Sequence, residues 1–261
     1  MAKKPIAYDA YQQLAEAYDA HIDTKPHNAY YDRPAVLGLM PEDLHGVPVF
    51  EAGCGPGAYS AELVRRGAIV TACDVSERML ELAAARVASV GGPGTVRFEC
   101  VDLEQPLTRF ASQHYALVLA PLCLDYIDDW RTLFRQFHRL LRPGGTLVFS
   151  CGHPAFDAEY FDTKQYFGVE QVECDWTGFG EVIRMPGYRR SLEEILMPIL
   201  DAGLIIDHVH EPRPTAQFRE ADPVRFAQLM QRPAFLCVRA TRGPASDDPV
   251  RSSASAELSD P

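Results

Sequence analysis

The stretch Val47-Pro48-Val49-Phe50-Glu51-Ala52-Gly53-Cys54-Gly55-Pro56-Gly57-Ala58-Tyr59 constrains this chain more than any other. A short apolar run, fit for a buried parallel strand, passes through three alternating glycines into a helix-like segment, Ser60 to Arg66. Glycines leave no Cβ at the turn, so a ligand can approach the backbone closely. The free N–H groups of the following helix point back at that ligand. Strand, bare turn and helix start together predict a nucleotide-type cofactor site.

The glycines alone leave two cofactors open. Gly53-x-Gly55-x-x-Ala58 also fits the dinucleotide fingerprint, with Asp74 about twenty residues on where a ribose-binding acid belongs. Further residues separate the readings. Glu51 precedes the first glycine by two positions, Pro56 occupies the turn, and Val96-Arg97-Phe98-Glu99-Cys100-Val101-Asp102 is another strand ending in an acid. Leu140-Leu141-Arg142-Pro143-Gly144-Gly145-Thr146-Leu147 then reads as a helix end, a tight turn and a buried strand. In this order and spacing, E-x-G-x-G-x-G, Asp74, Asp102 and L-R-P-G-G-x-L resemble the class I S-adenosylmethionine (SAM)-dependent methyltransferases of small-molecule type, from about Tyr8 to Arg242.

That resemblance implies a seven-stranded, mostly parallel sheet with the last strand antiparallel and inserted beside the fifth. It implies SAM as cofactor and S-adenosylhomocysteine (SAH) as product. Asp74 is then the ribose acid, Asp102 takes the adenine amino group, and the Leu103 N–H faces a ring nitrogen. Glu51 lies beneath the turn, near the methionine amino group or supporting the loop. Gly53, Cys54, Gly55 and Gly57 form the turn, with Val75, Met79 and Ala120 completing the cofactor site. Arg33, about twenty residues before the turn, pairs with the methionine carboxylate or is a solvated surface arginine; a guanidinium fork suits a carboxylate.

The 261 residues fit one α/β domain with length enough for a core, here residues 1–242, and apolar and charged shares of 47% and 23% are ordinary. A net charge of -11 argues against a phosphate-backbone partner, hence against nucleic acid. The chain has no run of membrane-spanning length and no signal-peptide core. Seven cysteines without CxxC pairs favour reduced thiols and a cytoplasmic protein over a disulfide framework or a zinc site. Oligomeric state is not legible.

Alternating segments predict strands at Ile69–Asp74, Thr95–Val101, Tyr115–Leu122 and Thr146–Cys151, with helices at Glu77–Val90 and Trp130–Leu141. Ser76 and Ser191 are the expected caps of the helices that follow them. The N-terminal helix, Tyr8 to Asp23, carries Tyr8, Tyr11, Leu14 and Tyr18 on one face, a core-facing stripe or, within residues 1–45, a lid. In the family such lids offer a tyrosine to the reactive methyl, and Tyr18 is the choice here for cofactor and catalysis. From His153 to Tyr188 regular alternation stops and aromatics crowd in. Residues 153–190 read as an irregular substrate-covering insertion, and residues 243–261 as a disordered tail.

His153 is the candidate general base, or a histidine that merely orders the insertion. Tyr30, Asp125, Tyr126, His153, Trp176 and Tyr188 are the candidate substrate residues. Tyr188, Arg189 and Arg190 either bind an anion or grip the acidic insertion. Asp125, Asp128 and Asp129 read as helix-terminal charges, and no metal is expected. The Asn/Asp-Pro-Pro-aromatic signature of amino-directed nucleic-acid methylases is absent at Ala120-Pro121-Leu122-Cys123, which again favours a small substrate. The rivals are a non-catalytic SAM-binding module and a nicotinamide-dependent dehydrogenase. The latter's Tyr160-x-x-x-Lys164 spacing falls in a stretch read as non-helical.

Overall fold

The computed structural model describes residues 4–180 and 182–244. Its strands are β1 (Pro48–Ala52), β2 (Ile69–Asp74), β3 (Thr95–Cys100), β4 (Tyr115–Pro121), β5 (Leu141–Gly152), β6 (Val169–Trp176), β7 (Ile183–Arg190), β8 (Leu204–His210) and β9 (Phe235–Arg242). The helices are α1 (Tyr8–His21), α2 (Arg33–Gly38), α3 (Ala58–Arg65), α4 (Glu77–Val90), α5 (Trp130–Leu140), α6 (Pro154–Tyr160), α7 (Leu192–Asp201), α8 (Ala216–Ala221) and α9 (Pro223–Leu229). Seven strands form one sheet in the order β3-β2-β1-β4-β5-β9-β8, with β9 antiparallel to both neighbours. The order reverses between β1 and β4, which opens a crevice at their carboxyl ends.

Period-two alternation divides each central strand between two apolar layers. Phe50, Val118 and Ala120 face Leu133, Phe134 and Phe137 of α5 and Ile195 and Ile199 of α7. Val49, Leu117, Leu119 and Val148 face Val36 of α2, Leu63 and Val64 of α3 and Val87 of α4. Strands apolar on both faces must be covered on both faces, hence the three-layer sandwich. Helix starts follow their caps: the Ser76 hydroxyl accepts the Met79 N–H at 3.2 Å, and Asp129 accepts that of Thr132 at 2.9 Å.

Three expectations change. Residues 153–190 are not irregular: Pro154 starts α6, and β6 and β7 form an antiparallel hairpin outside the main sheet. Its Phe179, Ile183 and Met185 are buried against Ala10 and Leu14 of α1, so the hairpin gains a core by borrowing a helix face. Tyr160 accordingly closes a helix. Ser191 stands at the start of α7 without a side-chain cap bond, its hydroxyl accepting instead from the Gly168 N–H at 3.4 Å. β5 begins at Leu141, and its register with β4 jumps so that residues 142–145 bulge out. The tail expectation falls mostly on residues 245–261, outside the described residues.

Candidate active site

A cavity of about 1030 Å³, its mouth included, opens at the reversal point. Gly53, Cys54, Gly55 and Pro56 form its floor, Asp74, Val75 and Met79 one wall, and Asp102 and Leu103 another. Pro121, Leu122 and Cys123 close it from β4, and Tyr8, Tyr11 and Tyr18 reach in from α1. Each oxygen of Asp74 accepts a backbone amide, Gly55 N–H at 2.9 Å and Ser76 N–H at 2.9 Å, so the acid and the turn hold each other in place. Asp102 is fixed by the Glu104 N–H at 2.9 Å.

Gly53 has φ of +64°, and a Cβ there would lie 2.3 Å from Cys123 Cβ, so β4 approaches the turn as closely as backbone permits. A Cβ on Gly55 would instead meet nothing within 4 Å, since it points into the cavity. Leu122 holds φ of +49°, a strained conformation for a branched side chain, with its N–H donated to Ser150 O at 3.0 Å.

Three buried polar atoms lack a protein partner here: Asp32 Oδ1, Arg33 Nε and Glu51 Oε1. Asp32 and Arg33 line the cavity, and Glu51 lies directly beneath it, fully buried. Bare glycine floor, paired acids at successive strand ends and unspent polar atoms fit a charged nucleoside such as SAM.

Comparison with known proteins agrees. Residues 50–149 match the family model described as a methyltransferase domain. A Haemophilus influenzae protein of uncharacterised role is 26% identical over 230 residues, 82% of this chain and 88% of its own. A Coxiella burnetii ubiquinone biosynthesis O-methyltransferase is 31% identical over 115 residues, and the match spans 44% of this chain and only about half, 47%, of that relative. The crystal structure of a SAM-dependent methyltransferase from Mesorhizobium loti superposes with a TM-score of 0.64 at 26% identity, covering 85% of this chain and all of the other. Residues 50–149 form a methyltransferase domain, and the fold is that of a SAM-dependent methyltransferase.

In this methyltransferase the sequence-predicted residues divide. Tyr18, Arg33, Gly53, Cys54, Gly55, Asp74, Val75, Met79, Asp102 and Leu103 line the cavity. Glu51, Gly57 and Ala120 do not. Glu51 receives the Ser60 hydroxyl at 2.6 Å, and burial pushes its carboxyl up to about 8. Gly57 packs on Ala83 of α4, letting α3 and α4 meet, and Ala120 is in the core. Arg33 spends two nitrogens on Asp23 Oδ1 (3.0 Å) and Ile22 O (2.9 Å), leaving Nε to face inward. Tyr18 accepts from Asn28 Nδ2 at 3.2 Å, and burial raises its pKa, so it remains a neutral phenol.

His153 does not line this cavity. Its Nδ1 accepts the Ala155 N–H at 3.3 Å, which leaves Nε2 to donate to Glu211 Oε1 at 2.9 Å. Its lone pair is therefore spent on capping α6. Tyr30 also stays away, packing with Tyr31 and Phe218 while its carbonyl accepts from Thr215.

The remaining substrate candidates share a second cavity of about 770 Å³, mouth included. Asp125, Trp176 and Tyr188 line it with Phe156, Asp157 and Tyr160, and Tyr126 forms a wall of both cavities. Arg189 and Arg190 grip structure rather than a ligand. Arg189 donates to Glu170 Oε2 at 2.6 Å and to Tyr166 O at 2.9 Å, and Arg190 donates to Ile127 O at 2.5 Å and to Asp128 O at 2.7 Å.

Sequence reasoning missed Tyr11, Asp32, Tyr59 and Asp157. Tyr59 donates to Asp32 Oδ2 at 2.7 Å, and burial lifts the Asp32 carboxyl to about 6. Asp157 was legible as an acid set among Phe156, Tyr160 and Phe161. Burial, reinforced by Asp125, pushes it up to about 8, and burial pushes Asp125 up to about 6. Acids displaced this way cluster at functional sites.

Proposed function

We propose that this methyltransferase moves the SAM methyl group to an oxygen or nitrogen of a small molecule, with carbon the third acceptor. The observation carrying this reading is the single wall, Tyr126, between a cofactor-shaped cavity and a second, aromatic one. Asp74 would hold the ribose hydroxyls, Asp102 and Leu103 the adenine, and the Arg33 Nε and Asp32 side of the cavity the methionine end, with Glu51 supporting the turn from behind. Bound there, SAM supplies a methyl carbon that accepts an electron pair while its C–S bond breaks, leaving SAH.

The chain need only align acceptor, carbon and sulfur and keep water away. Positioning of this kind is worth up to roughly 7–11 kcal/mol, against about 10²–10⁴-fold from a general base. Tyr18 and Tyr11 act as neutral donors and walls. α1 acts as the lid, tied down by Arg86, whose Nη2 reaches Asp19 Oδ1 at 2.6 Å and whose Nε reaches Pro56 O at 2.9 Å. The β6–β7 hairpin covers the substrate. Seven free thiols support a reducing, cytoplasmic setting. The acidic net charge supports a small acceptor over nucleic acid.

Calorimetry with SAM, SAH and NADPH, followed by incubation of labelled SAM with a metabolite extract, tests the proposal. Saturable SAM binding and a product heavier by one labelled methyl are expected. NADPH binding without SAM binding would support the dehydrogenase. SAM binding with no methylated product would support a cofactor-sensing module.

A further inference from the structure

The second cavity has a chemical bias. Phe156 and Tyr160 of α6, Trp176 and Tyr188 of the hairpin, and Tyr126 give it aromatic walls, which by themselves would suit a neutral ligand. Two carboxyl groups interrupt them. One oxygen of Asp125 accepts the Gly152 N–H at 3.0 Å. The Asp157 carboxyl makes no side-chain hydrogen bond among the described residues, and its Oδ2 lies where a Cβ on Gly152 would come within 2.3 Å. Both acids therefore adjoin Gly152, at the carboxyl end of β5, and only a residue without a side chain admits them.

Among the described residues the sole cationic side chain in the walls, Arg189, is already committed to Glu170 and two carbonyls. Arg190, which faces Asp125 electrostatically, lies over the Trp130 ring at 4.4 Å and is spent on two further carbonyls. Among the described residues, an anionic ligand would meet two acids and no uncommitted cation in the walls, and a neutral one would leave two half-buried carboxyls without an ionic partner, which is costly. An ammonium satisfies both acids and gains from the negative ring faces. Rings of this hairpin already hold an ammonium: Lys25 Nζ lies 3.3 Å from the Phe179 centroid and 5.6 Å from that of Trp176, although Lys25 itself does not line the second cavity.

We infer that the acceptor substrate is an amine, captured in its cationic form between Asp125 and Asp157 and against the aromatic walls of the second cavity. To accept the methyl group it would first give one proton to either carboxylate, so that the freed nitrogen pair forms the N–C bond as the C–S bond of SAM breaks and SAH leaves. This rests on the reading that the first cavity holds the cofactor and the second the acceptor.

Titration of the SAH-loaded protein at neutral pH with 2-phenylethylamine, its neutral counterpart 2-phenylethanol and the anion 3-phenylpropanoate tests the inference. The amine should bind about tenfold or more tighter than the alcohol, as a charge-assisted pair requires, and the anion should bind weakest. Asp157→Asn and Asp125→Asn should each erase most of the amine's advantage while SAH affinity stays at the wild-type value, which also reports that the variants fold. The inference is overturned if the alcohol or anion binds the wild type as tightly as the amine. It is equally overturned if the amine does not bind while SAH does, or if its preference survives both substitutions. Should a variant fail to fold, the wild-type ligand series alone decides. Absence of SAH binding contradicts the cofactor reading instead, so the two failures are distinct.

Discussion

The Tyr11 hydroxyl donates to the Tyr126 hydroxyl at 2.8 Å, joining α1 to the wall between the two cavities. Burial raises the pKa of both phenols, so the bond is between neutral groups and should contribute about 0.5–1.5 kcal/mol. Tyr11→Phe and Tyr126→Phe should each lower stability by about that amount. The double variant should lose less than the sum, because either single change already breaks the bond. Urea midpoints of the four proteins check this; additive losses would show that the hydroxyls act independently.

Asp74 does two tasks, bracing the turn through Gly55 and Ser76 while facing the cavity. Asp74→Ala should lower SAH affinity by roughly tenfold to a hundredfold, the range of hydrogen bonds to a charged group. Calorimetry reads the change directly. An unchanged affinity would place the ribose elsewhere.

The glycines of the turn should separate folding from binding. Gly53→Ala drives a methyl into Cys123 and should depress the melting temperature sharply. Gly55→Val adds its bulk where nothing stands within 4 Å, at φ of +53°, so backbone strain of about 1–2 kcal/mol is its main folding cost. It should fold yet lose most SAM binding. Melting curves and SAM titrations together test the pair; normal SAM binding by Gly55→Val would mean the turn is not the floor of the site.

The sheet was legible because parallel strands covered on both faces write themselves as apolar runs, and Ser76 marked the start of α4. Ile69–Asp74 and Glu77–Val90 match the structure residue for residue. The β6–β7 hairpin was not legible because its strands alternate weakly: Val169, Glu170, Gln171, Val172, Glu173 and Cys174 form an exposed pattern whose buried partner, α1, lies far away in sequence. The residues read at the strand ends, Asp74 and Asp102, line one cavity because topology fixes the position of a strand end. Of the two roles open to His153, its contacts with Ala155 and Glu211 fit the one that orders the insertion; titratable character alone says nothing of which atom a ring nitrogen will bind. Asp32 was hidden because burial of a carboxyl is a tertiary property, whereas Asp157 stood out only by its aromatic neighbours.

Five carboxyls around the rim, Asp32, Glu51, Asp74, Asp125 and Asp157, are all pushed upward, chiefly by burial. A raised folded-state pKa means the folded protein holds protons that the unfolded chain has released. Stability is then full below the unfolded carboxyl range and falls as pH rises toward the folded value. For Glu51 the window runs from 4.5 to about 8. The ligand-free protein should therefore be less stable at pH 8 than at pH 5. Glu51→Gln should flatten that decline by an amount on the order of a few kcal/mol without abolishing it, since four other acids remain. Denaturant titrations across the range test this; stability rising with pH would contradict it.

A crystal grown with SAH tests the central claim most directly. Density for the nucleoside along Gly53 to Pro56, with both ribose hydroxyls on Asp74 and the adenine against Leu103, is the expected result. SAH bound at another place, with that turn empty, would contradict it.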